Sequence, residues 1–134
     1  MSLAELRGDM VILACAISAG IHGALVPGHF DEGIGAGLGF AAATIALAGF
    51  VVWLTWRPAN ASALAAAAVT FAGLLGSYAL ATTTGLPLLH PAAEPVDGLA
   101  LATKAIEAAG LLAATSLLWR HVAVTIPQPK GTLT

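Results

Sequence analysis

Charged side chains are scarce in this chain of 134 residues: they make up 9% of it, against about 25% in typical soluble domains. A soluble protein of this length needs polar side chains to cover its surface, and this chain has too few. The net charge of -2 is small and dispersed, so nothing indicates a nucleic-acid partner. The single cysteine, Cys15, excludes an intrachain disulfide and a Cys-x-x-Cys metal site.

Hydrophobic residues make up 58% of the chain, and they gather into segments long enough to cross a bilayer, which takes about 20 apolar residues. The predicted spans are about 9–26, 34–56, 61–84 and 99–119, followed by a polar tail over 122–134. The alanine and leucine content favours helices, and no alternating run indicates a β-barrel. The sequence therefore predicts an all-α polytopic membrane protein: one domain, residues 1–134, folded as a four-helix up-down bundle in contact with lipid.

The cationic residues predict the orientation of the bundle, because cytoplasmic loops are enriched in Lys and Arg. With four spans, both termini and the connection between the second and third helices share one side. That side holds Arg7, Arg57, Arg120 and Lys130, together with Trp53, Trp56 and Trp119 as an interfacial aromatic belt. We therefore expect an inner (plasma) membrane protein with both termini in the cytoplasm.

Histidines and acids gather at the opposite, outer side, where two hairpins distant in sequence meet. The predicted metal ligands are His22, His29, Glu32, His90, Glu94 and Asp97. Imidazole and carboxylate suit a divalent transition metal such as Zn, Cu(II), Fe or Mn. Haem is a less favoured ligand, because only His22 lies clearly within a span. The acids have an alternative interpretation as helix N-terminal caps: Asp31 or Glu32 before the second helix, and Asp97 before the fourth.

A second polar group is predicted inside the membrane. Glu107 lies about nine residues into the fourth helix, hence roughly 13 Å deep, where a charged side chain is costly. Lys104, three residues earlier, can reach it on the same helix. On the first helix, Cys15, Ser18 and His22 share one face. If helices one and four are neighbours, as in a simple up-down bundle, His22 and Glu107 form a buried polar relay with Lys104.

Small residues suggest where helices of another protein or another copy could dock. Gly35 and Gly39 on the second helix and Gly73 and Gly76 on the third offer faces that allow close approach. The Gly-x-Gly-x-Gly run at 33–37 follows no strand, so it does not predict a nucleotide-binding loop.

The run Thr83–Pro87 (TTGLP), followed by a histidine, an acid, Val-Asp-Gly at 96–98 and Lys-Ala-Ile-Glu at 104–107, resembles small uncharacterised bacterial four-helix integral membrane proteins. These proteins also carry a histidine near the end of helix one. The resemblance covers most of the chain. It implies four helices and a bacterial inner membrane, and it implies no activity for any residue.

Three functions remain open from the sequence. The favoured hypothesis is binding of a divalent transition metal at the outer cluster, for sensing, storage or delivery. The second is a proton-coupled or channel-like permeation unit that uses His22 and Glu107, with oligomers expected because four short helices line little volume. The third is a structural or assembly subunit of a membrane complex. A membrane enzyme built on the same cluster is a further, less favoured option.

Overall fold

The computed structural model describes residues 1–86 and 93–125, with the side chains of residues 124 and 125 outside this description. Every regular element in this part of the chain is a helix. The helices are α1 (Leu3–Glu32), α2 (Ile34–Trp56), α3 (Ala61–Thr83) and α4 (Gly98–Thr125). The prediction of an all-α four-helix fold is confirmed.

The first helix is longer than the sequence indicates, since α1 runs through Pro27 and ends at Glu32. We expected residues 27–33 to form a connection, because proline cannot donate to the carbonyl four residues back. The helix instead accepts the loss of one hydrogen bond. Gly33 alone joins α1 to α2. Glu32 therefore ends α1, and the expectation that Asp31 or Glu32 caps the start of α2 is wrong.

Side-chain caps set the start of three helices, because the first backbone N–H groups of a helix need acceptors. The Ser2 hydroxyl accepts from the N–H of Glu5 at 3.2 Å, and Asn60 Oδ1 accepts from the N–H of Ala63 at 2.8 Å. Asp97 Oδ1 accepts from the N–H of Ala100 at 2.8 Å. The cap predicted for Asp97 is thus confirmed.

The four helices form a ring in the order α2, α1, α4, α3. Helix α1 packs most extensively on α2 and also on α4, α4 packs on α3, and the contact between α2 and α3 is much smaller. The expected neighbourhood of the first and fourth helices is confirmed. Their shared core is apolar and includes the fully buried Val11, Cys15, Leu64, Phe71 and Ala114.

Glycine has different roles inside and outside this ring. A Cβ on Gly110 would lie 2.7 Å from the Cβ of Ala14 and 2.7 Å from the ring of Phe71, so only glycine allows this close contact of α4 with α1 and α3. A Cβ on Gly39, Gly73 or Gly76 would meet no atom within 4 Å. The positions of Gly73 and Gly76 are therefore open on α3, while Gly39 lines a cavity between the helices. The use of these faces by a partner stays a prediction.

All four described helices are long and apolar enough to cross a membrane. Large apolar side chains point outward along the middle of the helices: Ile45, Val69 and Leu112 are 73%, 73% and 70% exposed. Side chains of this type cover a surface in contact with lipid rather than water. The chain is therefore a multi-pass membrane protein.

Candidate functional site

Glu107 is the centre of the buried polar residues. Its side chain is completely buried, and each carboxylate oxygen accepts one hydrogen bond. The Ser18 hydroxyl of α1 donates to Oε1 at 2.7 Å, and Lys104 Nζ donates to Oε2 at 2.7 Å. These bonds offset part of the cost of burying the charge, since a buried carboxylate needs both a counter-charge and hydrogen-bond donors. The Lys104–Glu107 pairing expected from the sequence is confirmed.

His22 stands beside this carboxylate with one defined tautomer. Its Nδ1 lies 2.9 Å from the backbone carbonyl of Ser18, and a carbonyl only accepts, so Nδ1 carries a proton. The Ser18 hydroxyl, 3.3 Å from Nδ1, has already donated its proton to Glu107. Nε2 is therefore the nitrogen that takes up a further proton. It lies 3.9 Å from Glu107 Oε1, so protonation places a positive charge next to the carboxylate.

The site carries no net charge before His22 takes up a second proton at Nε2. Glu107 is negative, Lys104 is positive, and His22 is neutral in the tautomer just described. Glu107 lies nine residues after the start of α4 and His22 ten residues before the end of α1. Both are hence about 13–15 Å from these helix ends. Because this depth is near the middle of a bilayer of about 30 Å, a net charge is costly there and the neutral state is favoured.

A cavity of about 320 Å³ opens between the four helices next to this site. Its lining includes His22 and His29 from α1, Phe40 from α2, Tyr78 from α3 and Lys104 from α4. Glu107 does not contact the cavity, so His22 and Lys104 stand between the cavity and the buried carboxylate. A single chain therefore lines a partly open cavity of this size, although we expected four short helices to line little volume.

His29 lies one turn from the end of α1, above His22. Its Nδ1 donates to the carbonyl of Leu25 at 2.9 Å, which leaves Nε2 3.8 Å from Glu32 Oε2. The ring stacks on Phe40, with the two ring centroids 3.6 Å apart. Phe40 also contacts His22, at a centroid distance of 5.2 Å. One aromatic side chain of α2 thus holds both histidines of α1 in place.

The predicted metal ligands are only partly brought together. His22, His29, Glu94 and Asp97 all line the cavity, and Glu94 reaches it because its N–H donates to the carbonyl of Ala81 at 2.9 Å. Within residues 1–86 and 93–125, no three histidine, cysteine or acidic side chains are close enough to hold one metal ion. His90 lies outside the described residues. Metal binding, and the haem considered beside it, stay predictions.

Two contributors to the site did not stand out in the sequence. Ser18 was noted only as part of a polar face, yet it links α1 to Glu107 directly. Its position four residues before His22 indicates that it belongs to the same site, because this spacing places both side chains on one helical face. Tyr78, the only tyrosine of the chain, is not predicted by the sequence as a residue of the site. It lies on a helix without any ionisable group, and no local pattern distinguishes it from a lipid-facing aromatic residue.

Fold and site together define a four-helix membrane protein with a buried Ser18–His22–Lys104–Glu107 network beneath an internal cavity. Comparison with protein-family models, with curated proteins and with solved structures finds no match for this chain. The resemblance to small bacterial four-helix membrane proteins therefore stays a prediction.

Proposed function

We propose that this chain is a proton-coupled permeation unit in which His22 takes up a proton from the cavity and Glu107 stabilises the charge. The observation that carries the proposal is the distance of 3.9 Å between His22 Nε2 and the completely buried Glu107 Oε1. At this distance the negative charge of the carboxylate offsets part of the cost of charging the imidazole in a medium of low dielectric constant. Ionisable groups inside a membrane mark proton or ion pathways in many transporters.

In the described part of the chain, the two sides of this site differ. The cavity reaches His22 from the outer ends of α1 and α4. Beyond Glu107, the helices pack through apolar side chains such as Val11, Phe71 and Leu117, which are at most 9% exposed. In this proposal a proton enters through the cavity and needs a change of helix packing to leave at the other end. This supports a gated, proton-coupled unit rather than an open channel.

The proposal includes an orientation, with the cavity on the extracytoplasmic side of a bacterial inner membrane. Arg57 and Arg120 lie at the opposite end of the bundle, directly after Trp56 and Trp119. This agrees with the enrichment of Lys and Arg in cytoplasmic loops and of tryptophan at the membrane interface. Protons in the more acidic extracytoplasmic space would then enter the cavity and reach His22.

Proton flux into liposomes tests the proposal. The purified protein is reconstituted with a trapped pH-sensitive dye, the outside is acidified, and potassium with valinomycin removes the membrane potential. We expect internal acidification well above that of protein-free liposomes. Replacing His22→Asn keeps a donor for the Ser18 carbonyl but removes the titrating nitrogen, so the flux should fall at least about tenfold.

His121→Asn is the matched control, because His121 is an exposed histidine beyond Glu107 on α4. This variant should keep the flux of the wild type. The double variant Lys104→Met with Glu107→Gln removes both buried charges together and should lose the flux while remaining helical by circular dichroism. Equal fluxes for wild type and His22→Asn, or a wild-type flux no higher than that of empty liposomes, would refute the proposal.

Metal binding remains a second candidate because four of the six predicted ligands line the same cavity. Elemental analysis of the purified, detergent-solubilised protein tests it. Near-stoichiometric Zn, Cu, Fe or Mn that is lost after His29→Ala and His90→Ala would support it, and a metal-free protein would argue against it. The role of an assembly subunit would instead require a partner on the open glycine faces.

A further inference from the structure

Tyr78 carries a buried polar atom that bears on what the cavity could bind. Its hydroxyl is buried, and it has no hydrogen-bond partner within the described part of the chain. Leaving a buried hydroxyl unpaired is expensive, at about 1–3 kcal/mol, and such groups in native proteins call for an explanation. Because the Tyr78 side chain lines the cavity, a small rotation of it would bring the hydroxyl to a bound molecule that supplies the missing partner.

Lys104 adds a second donor to the same region of the cavity. Its Nζ lies 5.6 Å from the centroid of the Tyr78 ring, and one of its three N–H groups is used by Glu107. The neighbouring Ser77 hydroxyl also lines the cavity but already donates to the carbonyl of Gly73 at 2.8 Å. Tyr78 and Lys104 are therefore the side chains that have donor capacity left, and they favour a ligand that carries hydrogen-bond acceptors.

The charges of the lining favour a ligand without net charge. Lys104 disfavours a cation, while Glu94 and Asp97 at the outer part of the cavity disfavour an anion. The rest of the lining is largely apolar or aromatic and includes Ile21, Leu25, Phe40, Leu74 and Leu99. A volume of about 320 Å³ is at the lower end of the range for small-molecule sites. These properties suit a compact, flat molecule that partitions into lipid.

We infer that the cavity binds a neutral ring compound with carbonyl acceptors, of the quinone class, with one carbonyl accepting a hydrogen bond from the Tyr78 hydroxyl. Quinones are flat and uncharged, and they reach the cavity from the bilayer. Their reduced forms carry hydroxyl groups, which can donate a hydrogen bond to the unprotonated Nε2 of His22. The inference rests on the proposed function, because it names the compound whose binding the proton site would accompany.

Equilibrium binding of 2,3-dimethyl-1,4-naphthoquinone to the detergent-solubilised protein, measured by isothermal titration calorimetry, tests this inference. The hydrocarbon 2,3-dimethylnaphthalene has the same rings but no carbonyl and is measured in parallel. We expect the quinone to bind more tightly than the hydrocarbon. Tyr78→Phe should weaken quinone binding by about threefold to tenfold, as for the loss of one neutral hydrogen bond, and should leave hydrocarbon binding unchanged.

Ser77→Ala is the matched control, since the Ser77 hydroxyl lines the cavity but is already paired, and it should leave quinone binding unchanged. The inference is overturned if the wild type binds no quinone. It is also overturned if quinone and hydrocarbon bind equally, or if Tyr78→Phe weakens both ligands alike, since the ring would then only fill space. Quinone binding without proton flux would contradict the proposed function alone, and His22-dependent flux without quinone binding would contradict this inference alone.

Discussion

Glu107 shows how one residue can constrain the surroundings of several others. A carboxylate that is completely buried in a membrane protein needs donors at both oxygens. Ser18 and Lys104 supply one each, at 2.7 Å. His22 is left with a free Nε2 because its Nδ1 is committed to the Ser18 carbonyl. The hydrogen bonds of Ser18, His22 and Lys104 thus determine which nitrogen of the site can still accept a proton.

These hydrogen bonds predict the effect of removing the positive charge of Lys104. Lys104→Met should destabilise the protein, since it leaves a buried carboxylate without its counter-charge; breaking such pairs costs about 3–5 kcal/mol. The measurement is unfolding by sodium dodecyl sulfate in mixed micelles, followed by circular dichroism. The double variant Lys104→Met with Glu107→Gln should recover most of the loss. A single variant as stable as the wild type would show that Glu107 does not depend on Lys104.

At the level of helices, the close contact at Gly110 brings α1, α3 and α4 together. Gly110 comes one turn after Glu107 and faces Ala14, which comes one turn before Ser18. The close approach of the two backbones at this level therefore lies next to the polar site, and it helps to hold the Ser18 hydroxyl within reach of the carboxylate. The packing of Gly110 on Ala14 thus supports the hydrogen bond between Ser18 and Glu107.

Gly110→Ala should therefore destabilise the bundle. Its Cβ would lie 2.7 Å from the Cβ of Ala14 and from the Phe71 ring, and overpacking of this kind costs about 1–3 kcal/mol. Gly76→Ala is the matched control, because a Cβ there meets nothing within 4 Å and alanine favours helix formation. Detergent unfolding of both variants measures the difference. Equal stability of the two would mean that the helices do not cross as closely as described.

Across the whole molecule, polar and apolar halves are separated along the membrane normal. The half toward the C-terminal end of α1 and the N-terminal end of α4 holds the cavity, His22 and His29, while the other half holds the apolar core. This asymmetry gives the proposed proton path a direction. The cavity leads to the buried site from one side, and Phe71 and Leu117 pack in the apolar core on the other.

Side-specific labelling tests the orientation that this direction requires. Single cysteines are introduced as Ser62→Cys, in the first turn of α3, and Ala93→Cys, before α4, in a Cys15→Ala background. Both positions are exposed. A membrane-impermeant maleimide added to intact bacterial spheroplasts should label position 93 at once and position 62 only after permeabilisation, because positively charged loops stay in the cytoplasm. The reverse pattern would place the cavity in the cytoplasm.

The sequence by itself determined the four helices, the neighbourhood of the first and fourth, and the Lys104–Glu107 pair. These follow from local properties: runs of apolar residues, short connections and a spacing of three residues on one helix. It also placed His22 on a polar face with Ser18. The continuation of α1 through Pro27 could not be predicted, because surrounding packing rather than local preference decides whether a helix tolerates the loss of one hydrogen bond.

Only the tertiary structure decided how the side chains of different helices meet. It placed the Ser18 hydroxyl on Glu107 and Phe40 against both histidines of α1. It also placed Tyr78, whose buried hydroxyl has no partner among the described residues, in the lining of the cavity. Such contacts depend on the rotation and depth of each helix, to which packing contacts such as that of Gly110 with Ala14 and Phe71 contribute. Apolar residues are distributed nearly evenly around each of these helices, so the sequence pattern alone does not fix the rotation of the helix.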